Sequence, residues 1–242
     1  MKKLVYLFSF AAVLTACTGN DNDGPSATED FLIKKIVFND GETSNTSKIS
    51  YNGHKITGTT DSDGTHTVVT YTGDLITKWE YFYGNAIFER ETFEYNAQGE
   101  LTAYTDIEFE DGFGERFEYA HNSDGTISFD RFYGDANAQE TFEYSGRIYA
   151  NKLEQYSTDP DMPTSTTNYV FDSKNNPFMN ITGYGKIAFA AGESLNYMNN
   201  VVEERFDGVV YTTSTFTYNS NDFPVTETEN EEGETYTTKY FY

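Results

Sequence analysis

The residues able to do acid–base or metal chemistry are scattered along the sequence. The three histidines, His54, His66 and His121, lie far apart, and none has the i, i+4 spacing by which one helix presents two imidazoles to zinc. With 39 Asp and Glu residues, two carboxylates close in sequence carry almost no information about a glycosidase pair. Neither a Gly-x-Ser-x-Gly elbow nor a phosphate-binding loop occurs. The sequence therefore predicts no catalytic residue, no metal site and no cofactor, and hence no enzyme.

Two acidic segments, Asp21–Gly24 and Asp61–Gly64, carry the opening residues of a calcium loop. The twelfth position of such a loop would be Leu32 in the first segment and Thr72 in the second, and neither is a carboxylate. Asp and Gly are also the common residues of tight hairpins, so we interpret residues 61–64 as a turn.

An alternating aromatic stripe is formed by Trp79, Tyr81 and Tyr83. Such rings are able to stack on a sugar. Comparable aromatic residues occur throughout the chain, and we therefore predict that the stripe belongs to the core.

The one cysteine of the chain stands where a bacterial lipoprotein would be acylated. Two lysines and an apolar run of about eleven residues precede it, too short for the roughly 20 residues that a helix needs to cross a membrane. The run ends in a segment that resembles a lipobox: Leu14, Thr15, Ala16 and Cys17. The resemblance implies that residues 1–16 are a signal peptide and that the Cys17 thiol carries the lipid.

Residues 17–30 are rich in Gly, Asn and Asp and are similar to the acidic spacers of Bacteroidetes surface lipoproteins. A flexible solvated tether would have the same composition. We predict an outer-membrane, lipid-anchored protein on the cell surface or the periplasmic face. Its contact with the membrane is the lipid, and each buried CH₂ group contributes about 0.8 kcal/mol.

Composition and charge narrow the fold class and the partners. The formal net charge is −23, which excludes a nucleic-acid partner because phosphate contacts require a basic face. Twenty Tyr, twenty Phe and 19 Gly are typical of many strands joined by tight turns. The sequence therefore predicts an all-β protein.

A repeat of about 24 residues organises the chain after residue 30. An aromatic anchor recurs in each unit, with an apolar or aromatic residue two positions earlier and a Gly- or Asn-rich turn directly after it. Apolar, polar, aromatic is the pattern of a strand with one wet face. The anchors are Tyr51, Tyr71, Tyr95, Tyr119, Tyr144, Phe171, Tyr197 and Tyr218.

Eight such hairpin units predict about 16 antiparallel strands in an up-and-down meander, forming one domain over residues 31–242. Returning strands are expected near residues such as Phe178 and Val201, and the only long irregular link is predicted at 157–165. A sheet this large accumulates twist and leaves two unpaired edges, so it should roll into a closed or nearly closed barrel. The anchors should share one face, and the intervening Glu94, Glu118 and Glu143 should be exposed on the other.

The units 93–102 and 216–226 resemble degenerate YD or RHS-type repeats. Together with the lipobox, such units over the mature chain resemble a Bacteroidetes family of lipoproteins of unknown function described as porin-like in fold. The resemblance implies an envelope lipoprotein. We predict a non-enzymatic binding or structural role, with a glycan or a protein as the ligand.

Two alternatives remain open at this point. One is a carboxylate-based hydrolase with its site at one mouth of the barrel. The other is a membrane-spanning porin-like barrel, since the aromatic C-terminus resembles the closing signal of outer-membrane barrels. A spanning barrel requires an apolar band on its lipid-facing side. Stretches such as residues 86–91 instead place charged residues on both faces of the strand, which argues against a spanning barrel.

Overall fold

The computed structural model describes residues 31–157, 164–192 and 194–242. Within them, sixteen antiparallel strands follow one another around a closed barrel, and the first strand pairs with the last. The predicted all-β class, the sixteen-stranded meander and its closure are therefore confirmed. The predicted signal peptide, the lipobox with Cys17 and the tether lie outside the described residues.

The strands are β1 (Lys35–Asn39), β2 (Ser44–Asn52), β3 (Lys55–Asp61), β4 (Thr65–Thr72), β5 (Leu75–Tyr83), β6 (Ala86–Tyr95), β7 (Leu101–Glu108), β8 (Phe113–His121), β9 (Ile127–Asp135), β10 (Ala138–Ile148), β11 (Lys152–Tyr156), β12 (Ser165–Phe171), β13 (Val201–Phe206), β14 (Val209–Tyr218), β15 (Pro224–Glu231) and β16 (Glu234–Phe241). The turns that follow the anchors lie at one end of the barrel, called here the anchor end. The alternate turns lie at the other end, called here the mouth.

Four of the hairpins at the anchor end share one irregularity. Beside the anchor, one residue of the returning strand has no pairing partner on the anchor strand. The unpaired residues in the four hairpins are Thr57, Thr77, Thr102 and Val225. Such a bulge bends the strand and increases its twist, which favours closure of the barrel.

The hydroxyl groups of three anchors, Tyr51, Tyr71 and Tyr95, donate to main-chain carbonyl groups elsewhere in the fold. Tyr51 Oη donates to the Ile33 carbonyl at 2.7 Å, and Tyr95 Oη donates to the Ile76 carbonyl at 2.6 Å. A buried hydroxyl must find an acceptor, and these carbonyls lie within reach of the rings. This explains why these three anchors are Tyr and not Phe.

Residues 172–200, called here the plug, leave the sheet between β12 and β13. The described residues among them contain only a four-residue helix, α1 (Tyr184–Ile187), and a 3₁₀ turn at Ala190–Gly192. The prediction of a single long link at 157–165 is therefore wrong, as is the returning strand near Phe178. Tyr197 lies in the plug and not in a strand.

The plug covers the anchor end of the barrel. Its Ile181, Ile187 and Phe189 side chains are buried in the core, and the Phe189 ring meets the Tyr119 ring edge-on with centroids 5.4 Å apart. A barrel of sixteen strands is too wide to be filled by the side chains of its own wall. The plug supplies the missing apolar volume.

Main-chain contacts hold the plug on the hairpin turns. The Thr182 amide donates to the His54 carbonyl at 2.9 Å. Gly183 has a φ of 82°, and a Cβ atom there would lie 2.6 Å from the Asp74 carbonyl oxygen. Only glycine allows this approach, because other residues would be strained at this φ and would also overlap the turn.

We predict that Tyr119→Ala lowers the free energy of unfolding by about 3 kcal/mol, because the ring is buried against its neighbours and the plug. Denaturant unfolding measures the loss. The control is Glu118→Ala at the adjacent exposed position, which should cost less than about 1 kcal/mol. Equal losses in both variants would contradict the inward orientation of Tyr119.

Candidate functional site

The inner face of the barrel is divided into two zones. Toward the anchor end the inward positions are apolar and form the core, as with Phe93, Phe117 and Phe129. Toward the mouth the same strands present carboxylates, and we call this zone the acidic half. Its carboxylates on β6, β7, β8 and β15 are Glu89, Glu91, Asp106, Glu108, Glu115, Glu227, Glu229 and Glu231.

Glu91 is the most deeply buried carboxylate of the cluster on β6–β8. Tyr104 Oη donates to its Oε1 at 2.8 Å, and Tyr81 Oη donates to its Oε2 at 3.0 Å. Burial raises the pKa of Glu91, and the two hydroxyl groups oppose that rise by stabilising the charged form. The two tyrosines therefore hold Glu91 in a fixed orientation.

Asp106 lies opposite Glu91 on one side and Glu115 on the other. Its Oδ1 atom is buried and has no hydrogen-bond partner among the described residues. Burial, and then the charges of Glu89 and Glu91, raise the pKa of Asp106 to about 8. Burial and the neighbouring Glu91 likewise raise the pKa of Glu89 to about 7. Asp106 and Glu89 are therefore partly protonated near neutral pH.

Arg131 is the one Lys or Arg at an inward strand position of the described barrel. Its Nε donates to Glu115 Oε2 at 3.2 Å, and the guanidinium also pairs with Glu143. The rings of Phe117 and Tyr144 flank it, with centroids 5.7 and 5.5 Å from its central carbon. Arg131 thus pairs with both Glu115 and Glu143, and its single positive charge offsets one of their two negative charges. No Lys or Arg of the described residues forms an ion pair with Glu89, Glu91 or Asp106.

The prediction that Glu143 is fully exposed is wrong. A register shift between Phe142 and Tyr144 turns Glu143 inward to Arg131. Phe142 consequently lies outside, 43% exposed and edge-on to Phe132. Its predicted position on the anchor face is therefore wrong as well. By contrast, Glu94 and Glu118 are exposed, as predicted.

A second group of carboxylates lies on β15, on the opposite side of the barrel from the cluster on β6–β8. Tyr240 Oη donates to Glu227, whose pKa is raised by burial. Burial, and then Glu227 and Glu231, raise the pKa of Glu229 to about 7. Protonatable carboxyls therefore occur on both sides of the acidic half.

The structure places most of the predicted anchors in the strands. Tyr119 is buried, and Tyr51, Tyr71, Tyr95 and Tyr144 pack against the core. Phe171 and Tyr218 end β12 and β14, where they contact Tyr169 and Phe216. Tyr197 packs over Gly185 within the plug instead.

The other sequence features are not brought together into a site. Trp79 and Tyr81 lie in the interior, and Tyr83 is 65% exposed at the mouth. Residues 61–64 form the β3–β4 turn, in which Asp63 Oδ1 accepts the Thr65 amide at 2.9 Å.

The three histidines do not converge. The His66 ring stacks on Phe82, and His121 Nε2 lies 2.8 Å from the Leu101 carbonyl oxygen. Nδ1 of His54 lies 3.4 Å from the Asn180 carbonyl oxygen of the plug. No group of three or more potential metal ligands occurs among the described residues.

The outer wall of the barrel carries ion pairs, and at mid-strand Glu80 pairs with Arg90 at 2.9 Å. Arg116 pairs with Glu94 at 2.7 Å and with Glu118 at 3.1 Å. Outward threonines line β14 and β15, where the Thr217 and Thr226 hydroxyl groups are 2.6 Å apart. None of the helical segments in the described ranges has the length and apolarity of a membrane-spanning helix.

Comparisons with known proteins show the fold. A crystal structure of a porin-like protein from Bacteroides uniformis is similar, with a TM-score of 0.54 and 12% identity over 86% of this chain and 97% of that one. A porin-like protein from Bacteroides vulgatus is similar with a TM-score of 0.53 and 13% identity over 87% of this chain and 98% of that one. No protein-family model matches the chain. None of the curated proteins matches it.

Sequence reasoning missed the acidic half, although the same two-residue periodicity contained it. Glu91 and Glu89 stand four and six positions before the anchor Tyr95, and Glu115 stands four positions before Tyr119. Alternate residues of a strand face the same side. Counting back from each inward anchor in steps of two residues would therefore have placed these carboxylates inside the barrel. Asp106 lies on β7, where the bulge at Thr102 makes such a count unreliable.

We predict that the barrel becomes less stable as pH rises from 5.5 to 8.5. A carboxyl whose pKa is raised on folding adds stability below its unfolded value near 4, and that stability is lost as pH passes through the folded value of about 7 to 8. Asp106→Asn should remove part of this slope and raise the free energy of unfolding at pH 8.5 by about 1–3 kcal/mol.

Denaturant unfolding at the two pH values measures this effect. The exposed Glu118→Gln serves as the control and should leave the slope unchanged. A flat profile for the unmodified protein, or an unchanged slope in Asp106→Asn, would contradict burial of protonated carboxyls.

Proposed function

We propose that the protein is an envelope lipoprotein that is acylated at Cys17, is held in the outer membrane by that lipid, and has a non-enzymatic binding role. The barrel itself stands in water. The observation that carries the proposal is the outer wall, whose mid-strand positions hold ion pairs such as Lys78–Glu80–Arg90. Charged groups at these positions are unfavourable in contact with lipid, and a spanning barrel requires an apolar band about 25 Å tall there.

The position of the plug indicates that the barrel interior is a chamber closed at one end and not an open channel. Phe189 and the rest of the apolar core occupy the anchor end, whereas the acidic half lies toward the mouth. The crystal structures named above share the fold and are described as porin-like. The filled anchor end argues against solute passage from end to end in this chain.

The position of residue 31 indicates which end of the barrel would lie nearer the membrane. The Phe31 ring stacks on Phe223 with centroids 5.4 Å apart, and the Phe31 carbonyl accepts a hydrogen bond from Asn180 of the plug at 3.0 Å. The chain between Cys17 and this point spans at most about 50 Å when extended. The anchor end would therefore lie nearer the membrane, with the mouth directed away from it.

A second candidate function is hydrolysis by carboxylates, and one observation favours it. Asp106 and Glu89 have pKa values of about 8 and about 7, in the range of a general acid at neutral pH. Chromogenic glycosides of several sugars are suitable substrates for the test. Turnover that Asp106→Asn abolishes would favour the hydrolase, and an absence of turnover across the panel would exclude it.

We predict that Cys17→Ser releases the protein from the membrane, because the charged outer wall would give the barrel no hold on lipid. Fractionation without detergent, with mass spectrometry of the N-terminal peptide, measures the change. Thr18→Ser is the matched control and should remain acylated and membrane-bound. A Cys17→Ser protein that still required detergent for extraction would contradict the proposal and favour a spanning barrel.

A further inference from the structure

The seam between β3 and β4 differs from the other contacts between neighbouring strands in the described barrel. Its ladder has one paired position, Thr60 with His66, whereas each of the other neighbouring pairs has at least four. Gly58 faces the carbonyl oxygen of Thr67, and a Cβ atom at Gly58 would overlap that oxygen. The two strands approach closely there but do not form a regular ladder.

Side chains hold this seam where the ladder is missing. The Thr59 amide donates to Thr67 Oγ1 at 3.0 Å, and the hydroxyl groups of the same two threonines are 3.0 Å apart. A cavity of about 430 Å³ opens at the seam. This volume lies within the range of small-molecule sites, which is about 300–1,000 Å³.

The residues that line the cavity are small or polar. Among the described residues that line it are Ser50, Thr57, Thr60, Thr65 and His66, and there is no Val, Leu, Ile or Phe. A ligand that fills this space must offer many donors and acceptors, because each wall group that loses water requires a new partner. A ring with several hydroxyl groups meets that requirement.

Asp61 is the one acidic side chain in the wall. Its carboxyl group accepts hydrogen bonds from Ser47, from Thr59 at 3.4 Å and from Thr65 at 3.3 Å. Burial, and then the charge of Asp63, raise the pKa of Asp61 to about 7. Near neutral pH this carboxyl is able both to accept and to donate a hydrogen bond, which suits a sugar hydroxyl.

An exposed aromatic ring stands beside the cavity. Tyr83 pairs with Thr65 across the β4–β5 ladder, and the two side chains therefore share a face. The ring is 65% exposed, and its Cε2 lies 3.7 Å from the place of a Cβ on Gly64, which lines the cavity. An exposed aromatic face next to a hydroxyl-lined cavity is able to pack against the C–H face of a sugar ring.

We propose that this cavity, with Tyr83 at its rim, binds a neutral hexose unit of a glycan. The inference names the ligand class of the binding role proposed above and rests on that role. A neutral sugar is favoured over an anionic one because the chain has a net charge of −23 and the acidic half lies nearby. The cavity runs along the seam from Ser50 and Thr57, near the anchor end, to Gly64 and Tyr83 at the mouth, the end directed away from the membrane.

Titration calorimetry on the detergent-purified, acylated protein tests the proposal with maltotriose, cellotriose and mannotriose as probes. We expect at least one of them to bind with a Kd between about 10 μM and 1 mM. Tyr83→Ala should weaken binding about fivefold or more, while Tyr83→Phe, which keeps the ring, should retain it.

Two further variants separate the site from general effects on the fold. Tyr133→Ala, which removes another exposed tyrosine near the mouth, is the matched control and should bind normally. Asp61→Asn should weaken binding, with its melting temperature measured in parallel. Failure of all three sugars to bind, or equal loss in Tyr133→Ala and Tyr83→Ala, would overturn the proposal. Fractionation of Cys17→Ser reports independently on anchoring, so failure of the two proposals can be told apart.

Discussion

Closure of the sheet by the pairing of β1 with β16 is the constraint on which the rest of the structure depends. Closure leaves no free edge and divides the side chains of every strand between an interior and an exterior. The interior is then shared by all strands, so that residues at equal height meet across neighbouring ladders. Glu91, Asp106 and Glu115 come together in this way although they lie on three successive strands.

The acidic half shows how a polar interior is made compatible with folding. A buried carboxylate is costly unless it is hydrogen-bonded, paired or neutral. Glu91 receives the hydroxyl groups of Tyr81 and Tyr104, and Glu115 is paired with Arg131. Asp106 lacks both kinds of partner among the described residues, and burial raises its pKa to about 8. The same barrel wall uses ion pairs on its outside, where water makes them inexpensive.

The sequence was sufficient to predict the antiparallel meander and its closure, because the period of the aromatic anchors survives wherever two strands form a hairpin. It was not sufficient for the plug, since Phe171 and Tyr197 happen to continue the spacing through a segment without strands. The bulge at Glu143 was equally invisible, because one extra residue reverses the faces without changing the composition. The cavity at the β3–β4 seam depends on the close approach of Gly58 to Thr67, a contact between strands that no local pattern encodes.

Chemical labelling of the outer wall tests most directly the central claim that a lipid-anchored barrel stands in water. Thr215 is exposed and faces outward on β14, and the adjacent Ser214 is buried and faces inward. In intact membranes, with Cys17 acylated and unreactive, a polar maleimide should label Thr215→Cys and Glu118→Cys but not Ser214→Cys. Protection of both outward positions by the membrane, with labelling only after denaturation, would contradict the account.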